Sequence, residues 1–440
     1  MSPNPVDGTA ETSSVDCSCS PKREMLHLLL YCKDGCVPYL NPTQLEQYFP
    51  PSSGLWLCLS VQDACVFPMF DKPVKKKAKD DVINKKTKEV PAEPKKVRGY
   101  AFASAPPDPW LLPYTRVTVP YFSNKNKEQL ADNKSICVWT PHGRQRLASE
   151  TYAKVAMEGL QSNYTVSLFD DAGVSSVKQP DSVRWQKAHG RNNLWLEQLV
   201  QVAKQQDALD RIWRPVFLPP SNHDDEVNND AMTNESQTGS LGAAGVAFVG
   251  KWRHGLLTGN NGMAQIPDDV KWKCLLSTTS LLEFVEIAAQ GYFNIVGTDL
   301  PALWAKEKVA LIVQPQRGPS TNEPTAKRPK LDADEKGGET DHANEPTLDF
   351  NGCIDMSDKV HARDPRPLVE GCTCMTCQHG GRFSRGYIHH LVCAKELLAE
   401  ILLFAHNLHH MLELIRLFNE GGSDPADIVN TIKSRLPNAK

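Results

Sequence analysis

Short apolar runs, many rich in β-branched residues, recur along the first three quarters of the chain, separated by polar and turn-forming stretches. Eight of them predict strands: Met25–Tyr31, Leu55–Val61, Ser135–Thr140, Thr165–Phe169, Gly245–Gly250, Lys273–Ser277, Phe293–Gly297 and Val309–Val313. Between several of these, apolar residues recur at spacings of three and four, predicting helices over Glu150–Gln161, Val183–Ala208 and Ser280–Gln290. Alternating strands and helices imply a parallel sheet with crossover connections. Eight strands suit an α/β fold of the irregular (β/α)8, TIM-like barrel kind. An open, doubly wound sheet meets the same count, because strand number alone does not show closure.

The pattern changes in the last quarter. Arg385 to Phe418 reads as helix, with a break near Val392-Cys393. Its stripe includes Leu397, Leu398, Ile401, Leu402, Ala405, Leu408, Met411, Leu412 and Ile415. Gly421-Gly422 ends it, and Ser423-Asp424-Pro425 opens a final helix with a capping residue before proline.

Three segments break the strand–helix alternation. Lys72 to Arg98 carries ten lysines and one arginine against four acids, Pro220 to Gly242 is acidic and Asn/Ser-rich, and Gln314 to Pro346 is rich in Pro, Gly, Thr and charge. None offers enough apolar area to offset backbone ordering, so each is expected to be a mobile insertion. The expected organisation is a flexible N-terminus over 1–22, the barrel over 23–350 with insertions at 72–98, 220–242 and 314–346, and a C-terminal subdomain with long helices over 351–440.

Composition narrows the function classes. A net charge of −3 excludes a general polycation, so any nucleic-acid contact needs a local basic face. The Lys72–Arg98 segment is one candidate, although it lacks an aromatic residue for base stacking. Thirteen cysteines, an odd number in a long chain, argue against a secreted disulfide framework. No secretory signal pattern and no membrane-length apolar run is evident, so a cytoplasmic setting is expected. Lys327-Arg328-Pro329-Lys330 matches a short nuclear-import pattern of low specificity.

The densest chemistry is Cys372-Thr373-Cys374-Met375-Thr376-Cys377. Thiols this close converge on one point when a loop wraps an ion, and thiolates with an imidazole form the set tetrahedral Zn²⁺ prefers. Such a closed set leaves no open coordination position, so the expected role is structural. Six histidines lie near the loop: His379, His389, His390, His406, His409 and His410.

The flanking residues resemble a known family. The CxCxxC run is followed by Ser384-Arg385-Gly386-Tyr387-Ile388-His389-His390-Leu391, then Glu400-Ile401-Leu402, then Ala405-His406-Asn407-Leu408. This order is similar to the zinc subdomain of the tRNA-guanine transglycosylases. The preceding Ile354-Asp355-Met356-Ser357-Asp358 and Asp364-Pro365-Arg366-Pro367-Leu368-Val369-Glu370 look more like the family's eukaryotic accessory chains than its catalytic ones. The resemblance is dense over residues 351–420 and thin upstream. It implies Cys372, Cys374, Cys377 and His406 as ligands of one structural zinc, with His410, a helical turn further on, in reserve. An insertion from Gln378 to Phe383 lengthens the loop without removing a ligand.

The same resemblance implies that the catalytic groups are missing. Family members attack the ribose with an aspartate held in a GIDxFDCVxPTR stretch. The matching stretch here is Gly291 to Pro301, which places Gly297 or Val296 at that position, and Asp299 two or more residues away. A DSGGFQ loop carrying the proton-transfer aspartate has no counterpart. Asp170, after Thr165–Phe169, fits the aspartate that binds the base in the family.

The resemblance thus implies a non-catalytic subunit with no catalytic residue of its own. It would pair as a heterodimer with a catalytic queuine tRNA-ribosyltransferase subunit acting on tRNA, and sit peripherally on the mitochondrial outer membrane. Because the resembled enzymes pair through their zinc subdomains and adjoining helices, Leu402, Met411, Leu412 and Ile415 are expected to present more apolar surface than this chain alone covers, and so to meet that partner. An active transglycosylase using Asp299, or a zinc scaffold without tRNA, are the competing readings.

Overall fold

A computed structural model describes residues 25–32, 35–63, 65–66, 69–71, 96–98, 101–102, 111–121, 131–140, 143–171, 182–217, 244–249, 270–312, 352–378, 383–420 and 424–435. In chain order, β1 (His27–Cys32), α1 (Pro42–Tyr48) and β2 (Leu55–Ser60) are followed by short strands β3 (Cys65–Val66), β4 (Met69–Asp71), β5 (Lys96–Arg98) and β6 (Ala101–Phe102). Next come β7 (Arg116–Val119), β8 (Ser135–Thr140), β9 (Gly143–Ala148), α2 (Ser149–Lys154), β10 (Tyr164–Val166), α3 (Ser182–Gln205), β11 (Ile212–Phe217) and β12 (Gly245–Val249). Then follow β13 (Trp272–Thr278), α4 (Leu281–Gln290), β14 (Ile295–Thr298), α5 (Leu300–Lys306), β15 (Val309–Leu311) and β16 (Cys353–Asp355). The chain closes with α6 (Arg385–Ala394), α7 (Leu397–Glu420) and α8 (Pro425–Arg435).

Eight strands form a closed barrel in the order β1-β14-β13-β12-β11-β10-β7-β2, every neighbouring pair parallel. The TIM-like expectation therefore holds, and the open sheet does not. Strands such as Leu28–Leu30 and Leu55–Leu59 are buried on both faces, which is why they read as continuous apolar runs.

Two of the eight expected strands lie elsewhere. Ser135–Thr140 is β8, paired antiparallel with β9 in a hairpin outside the barrel. Val309–Leu311 forms β15, antiparallel to β16, and Val313 lies outside the described residues. Their barrel places belong to β7 and β11. Both were hard to read because Arg116 opens one and Pro215 interrupts the other, residue types that argue against a central strand. Arg116 is tolerated at 5% exposure because its guanidinium donates to the carbonyls of Leu111, Leu112, Tyr114 and Gln161.

The basic segment needs a second correction. Its last three residues form β5, antiparallel to β4, in the same register as the β3–β6 pair. Residues 72–95 between them lie outside the described residues, as do 1–24 and the expected insertions at 220–242 and 314–346. The nuclear-import-like residues 327–330 lie outside them too. The expected break in the C-terminal helix falls slightly later, at Lys395, whose φ of 58° caps α6.

The N-terminal end of the barrel is plugged by rings. His27 stacks on Trp56, Trp56 on Tyr164 and Tyr164 on Trp213, with Trp272 edge-on to the first three. Gly245 leaves room for them: a Cβ there would meet the Trp213 ring at 2.7 Å and the Trp272 side chain at 2.9 Å.

One apolar cluster runs from the barrel into the C-terminal lobe, joining Leu28, Leu57, Phe284 and Val296 to Cys374, Leu403, Phe404 and Met411. Most of the α7 stripe is spent inside this chain, while Leu397 and Leu398 at its start are exposed. Leu402, Met411, Leu412 and Ile415 are all buried, so the expectation that they meet a partner is corrected. Helix α7 carries more apolar faces than a single stripe because it packs against α5, α6, β15 and β1 at once.

Candidate metal centre and barrel mouth

The centre is assembled by a loop and one helix. Loop residues 372–377 turn tightly: the Cys377 N–H donates to the Cys374 carbonyl at 3.1 Å, and Thr376 Oγ1 donates to the Leu402 carbonyl at 2.7 Å, pinning the loop to α7. Backbone N–H groups of Cys374 and Cys377 point at the sulfurs of Cys372 and Cys374, at 3.5 and 3.4 Å. The ligand atoms of Cys372, Cys374, Cys377 and His406 lie within 4.8 Å of one another.

His406 is fully buried, and its tautomer follows from its partners. Nε2 donates to the Leu311 carbonyl at 2.9 Å, which leaves Nδ1 unprotonated and facing Cys374 Sγ at 3.4 Å and Cys377 Sγ at 3.5 Å. A tetrahedral Zn²⁺ with ordinary Zn–S and Zn–N lengths separates sulfur from nitrogen by about 3.5 Å, so these distances fit that ion. Burial, with nearby His410, pulls the His406 imidazole down to about 4, keeping it neutral at physiological pH.

The thiols are coupled. Hydrogen bonds from Cys374 and Cys377 push Cys372 well down. Cys374 is held well up by its bonds to Cys372 and Cys377, and Cys377 is held up to about 12, chiefly by its bond to Cys372. One thiolate solvated by two thiols is what three close sulfurs adopt without a cation, and a divalent ion would deprotonate the rest.

The other loop histidines are placed differently. His410 Nε2 lies 3.6 Å from Cys372 Sγ and is not among the four convergent groups, and His389 Nδ1 contacts the Met356 carbonyl at 2.9 Å. His379 lies outside the described residues. Asn407, beside His406, accepts from the Leu311 N–H at 2.7 Å and donates to the Val309 carbonyl at 2.9 Å. Two consecutive α7 residues thus fasten the helix to β15.

The SR element is equally physical. Ser384 caps α6 by accepting from the Tyr387 N–H. Arg385 donates to the carbonyls of Pro367 and Leu368 and pairs with Asp364 at 3.3 Å. Hydrogen bonding from Arg366 holds the Asp364 carboxyl down to about 2.

The C-terminal mouth of the barrel holds the other residues that the sequence singled out. Gly297 lies in β14, and a Cβ there would overlap the Leu276 carbonyl oxygen. That carbonyl already accepts the Tyr31 hydroxyl, and burial raises the Tyr31 phenol well above its ordinary range. Val296 is fully buried, while Asp299 is exposed and sits at the N-cap position just before α5.

Asp170 is fully buried and holds two guanidinium groups, Arg191 at 2.6 Å and Arg184 at 3.0 Å. Asn192 donates to its carbonyl at 3.1 Å and accepts from its N–H at 2.7 Å. The sequence reading missed these α3 partners. Their signal was a spacing of seven and eight residues, which puts 184, 191 and 192 on one helix face.

The queuine tRNA-ribosyltransferase profile matches residues 117–420, which span most of the barrel and the whole metal centre. The chain belongs to that family. Its relatives include a Xenopus laevis protein named queuine tRNA-ribosyltransferase accessory subunit 2, 25% identical over 293 residues, or 63% of this chain and 67% of that relative. A Trichoplax adhaerens protein of the same name is 24% identical over 88% of this chain and 86% of its own length. A bacterial queuine tRNA-ribosyltransferase from Dinoroseobacter shibae reaches 45% identity, but over 15% of this chain and 16% of its own. Among the described residues, no helix of this queuine tRNA-ribosyltransferase family member is long and apolar enough to cross a membrane.

Proposed function

We propose that this chain is the non-catalytic, zinc-containing subunit of a two-chain queuine tRNA-ribosyltransferase. Its partner would be a catalytic subunit that exchanges guanine for queuine at the anticodon wobble position of the tRNAs for Asp, Asn, His and Tyr. The observation that carries the reading is the barrel mouth. Base exchange needs a carboxylate free to attack the ribose and a second group to move protons. Here the nucleophile position falls on Gly297, in a space with no room for a side chain, or on the fully buried Val296, and neither carries a carboxylate. The one matching carboxylate, Asp170, is neutralised by Arg184 and Arg191.

The metal-binding role assigned to Cys372, Cys374, Cys377 and His406 is structural. When bound, Zn²⁺ would supply a closed tetrahedral crosslink between the loop and α7. His406 presents Nδ1 because the Leu311 carbonyl holds its Nε2 proton, and Thr376 keeps the loop within reach of α7.

Pairing through an interface on the order of 2,000 Å² fits an obligate heterodimer. A cytoplasmic location, with contact to the mitochondrial outer surface, belongs to the same reading.

The test is base exchange with labelled guanine by each subunit alone and by the two mixed. This chain alone should give no turnover, and the mixture should greatly exceed the catalytic subunit alone. Turnover by this chain alone that disappears in Asp299→Asn would replace the reading with an active enzyme. Subunits that sediment separately while folded would leave a zinc scaffold.

A further inference from the structure

The connection from β7 to β10 carries the β8–β9 hairpin, and the two faces of that hairpin differ. Ile136, Val138 and Leu147 are fully buried, in the cluster that holds Tyr121, Tyr152 and Trp195. Strand alternation turns Cys137, Trp139, Arg144 and Arg146 to the other face. The register pairs Trp139 with Arg144 and Cys137 with Arg146, so an indole and two guanidinium groups form one contiguous outer surface. Trp139 is 46% exposed, and both arginines are exposed.

This face is held in place by its own hydrogen bonds. The Gln62 side-chain amide donates to the Trp139 carbonyl, and Trp195 Nε1 donates to the Asn133 carbonyl at 3.0 Å. Asp132 accepts from the N–H groups of Lys134 and Ser135 at 2.9 and 2.8 Å and pairs with Arg146, whose Nε reaches Ser135 Oγ at 3.0 Å. Arg144 Nε lies 2.8 Å from Cys137 Sγ, and among the described residues no carboxylate pairs with this guanidinium. The hairpin follows the end of β7, and Gln62 lies just beyond the end of β2. Both strands run parallel in the barrel, so the face stands at the same rim as Asp170 and Gly297.

We propose that the Trp139–Arg144–Arg146 face docks a single-stranded RNA segment, with a base stacked on the Trp139 indole and a phosphate on Arg144. The assignment rests on the accessory-subunit reading and gives it a specific RNA contact. An exposed indole beside an uncompensated guanidinium offers a stacking plane next to an anion donor, which unpaired nucleotides use in full. An acidic peptide would use the arginines and leave the indole idle. Paired RNA hides its base faces, so this surface tells loops from stems. Arg146, partly neutralised by Asp132, contributes less than Arg144.

The full-length chain is titrated with an end-labelled stem–loop RNA and with a fully paired duplex of the same stem, across a range of salt. Trp139→Ala is expected to weaken stem–loop binding about ten-fold and leave duplex binding unchanged, while Trp139→Phe retains most of the affinity. Arg144→Gln is expected to lower the slope of log affinity against log salt by about one. Melting temperature and metal content should stay at the parent's values, because neither side chain is buried. The proposal is overturned if Trp139→Ala binds the stem–loop as tightly as the parent, loses both RNAs equally, or if poly-glutamate displaces the stem–loop. Should that happen while the chain still activates its catalytic partner, only this surface is wrong and the accessory reading stands. A parent chain that binds no RNA and activates nothing removes both.

Discussion

In the C-terminal lobe the ligand atoms of four side chains lie within 4.8 Å of one another. At the barrel mouth the comparable carboxylate, Asp170, already holds two guanidinium groups. Both regions are buried and rich in polar atoms, yet only one has ligand capacity left over. His406 spends its Nε2 proton on the Leu311 carbonyl and thereby frees Nδ1, whereas Asp170 spends both oxygens on α3. The difference teaches that burial and charge alone do not make a reactive site. What counts is whether the convergent groups have found internal partners.

The comparison breaks most visibly at the metal. Cys374→Ala should release the ion and destabilise the lobe by about 4 kcal/mol, the value for an ion whose Kd lies about a thousand-fold below its free concentration. Because one apolar cluster joins lobe and barrel, the loss should appear as a lower midpoint of the whole unfolding transition. Metal content by elemental analysis and a chemical denaturation curve check it. Full zinc retention in the Cys372, Cys374 and Cys377 single variants would remove the site.

The mouth supplies the next largest effect. Gly297→Asp restores a carboxylate in name, but its Cβ overlaps the Leu276 carbonyl, so the β13–β14 backbone must shift. A cost of about 3 kcal/mol and no gain of base exchange are expected, read by urea denaturation and labelled-guanine incorporation. A stable, active Gly297→Asp chain would mean that the mouth is open after all.

A smaller effect sharpens the lobe. Asp364 titrates at about 2 in the folded chain against an ordinary 3.8. Its stabilisation is therefore complete above the ordinary value and is lost as pH falls through the folded one, since the unfolded chain takes up the proton first. Asp364→Asn should cost about 1–2 kcal/mol near neutrality, less than the full shift because its partner Arg366 is 39% exposed. The gap in urea midpoint between parent and variant should close in acid, and a gap that stays constant would contradict the assignment.

Much of this was legible in residue order. The CxCxxC loop and the helical spacing of α7 depend on neighbours close in sequence, and both are found where the pattern placed them. At the strand end the sequence left Gly297 and Val296 as alternatives, and in the structure both lie buried in β14. Strand assignment failed where chemistry contradicted location. Arg116 and Pro215 sit in barrel strands because carbonyl groups take up both terminal nitrogens of the first, one of them from distant Gln161, and because the second pairs in parallel register with Ala247.

Sequence by itself determined the ligand types, their spacing on loop and helix, and the α/β alternation, since local periodicity and covalent order carry that information. Only the tertiary structure decided that the sheet closes and that β8 lies outside it. It likewise decided that Leu402, Met411, Leu412 and Ile415 of α7 are covered within the chain and that Asp170 is locked by α3. Each of those outcomes depends on which polar and apolar groups meet across long loops, where burial makes an unpaired charge or an uncovered face costly, and chain order does not encode that meeting.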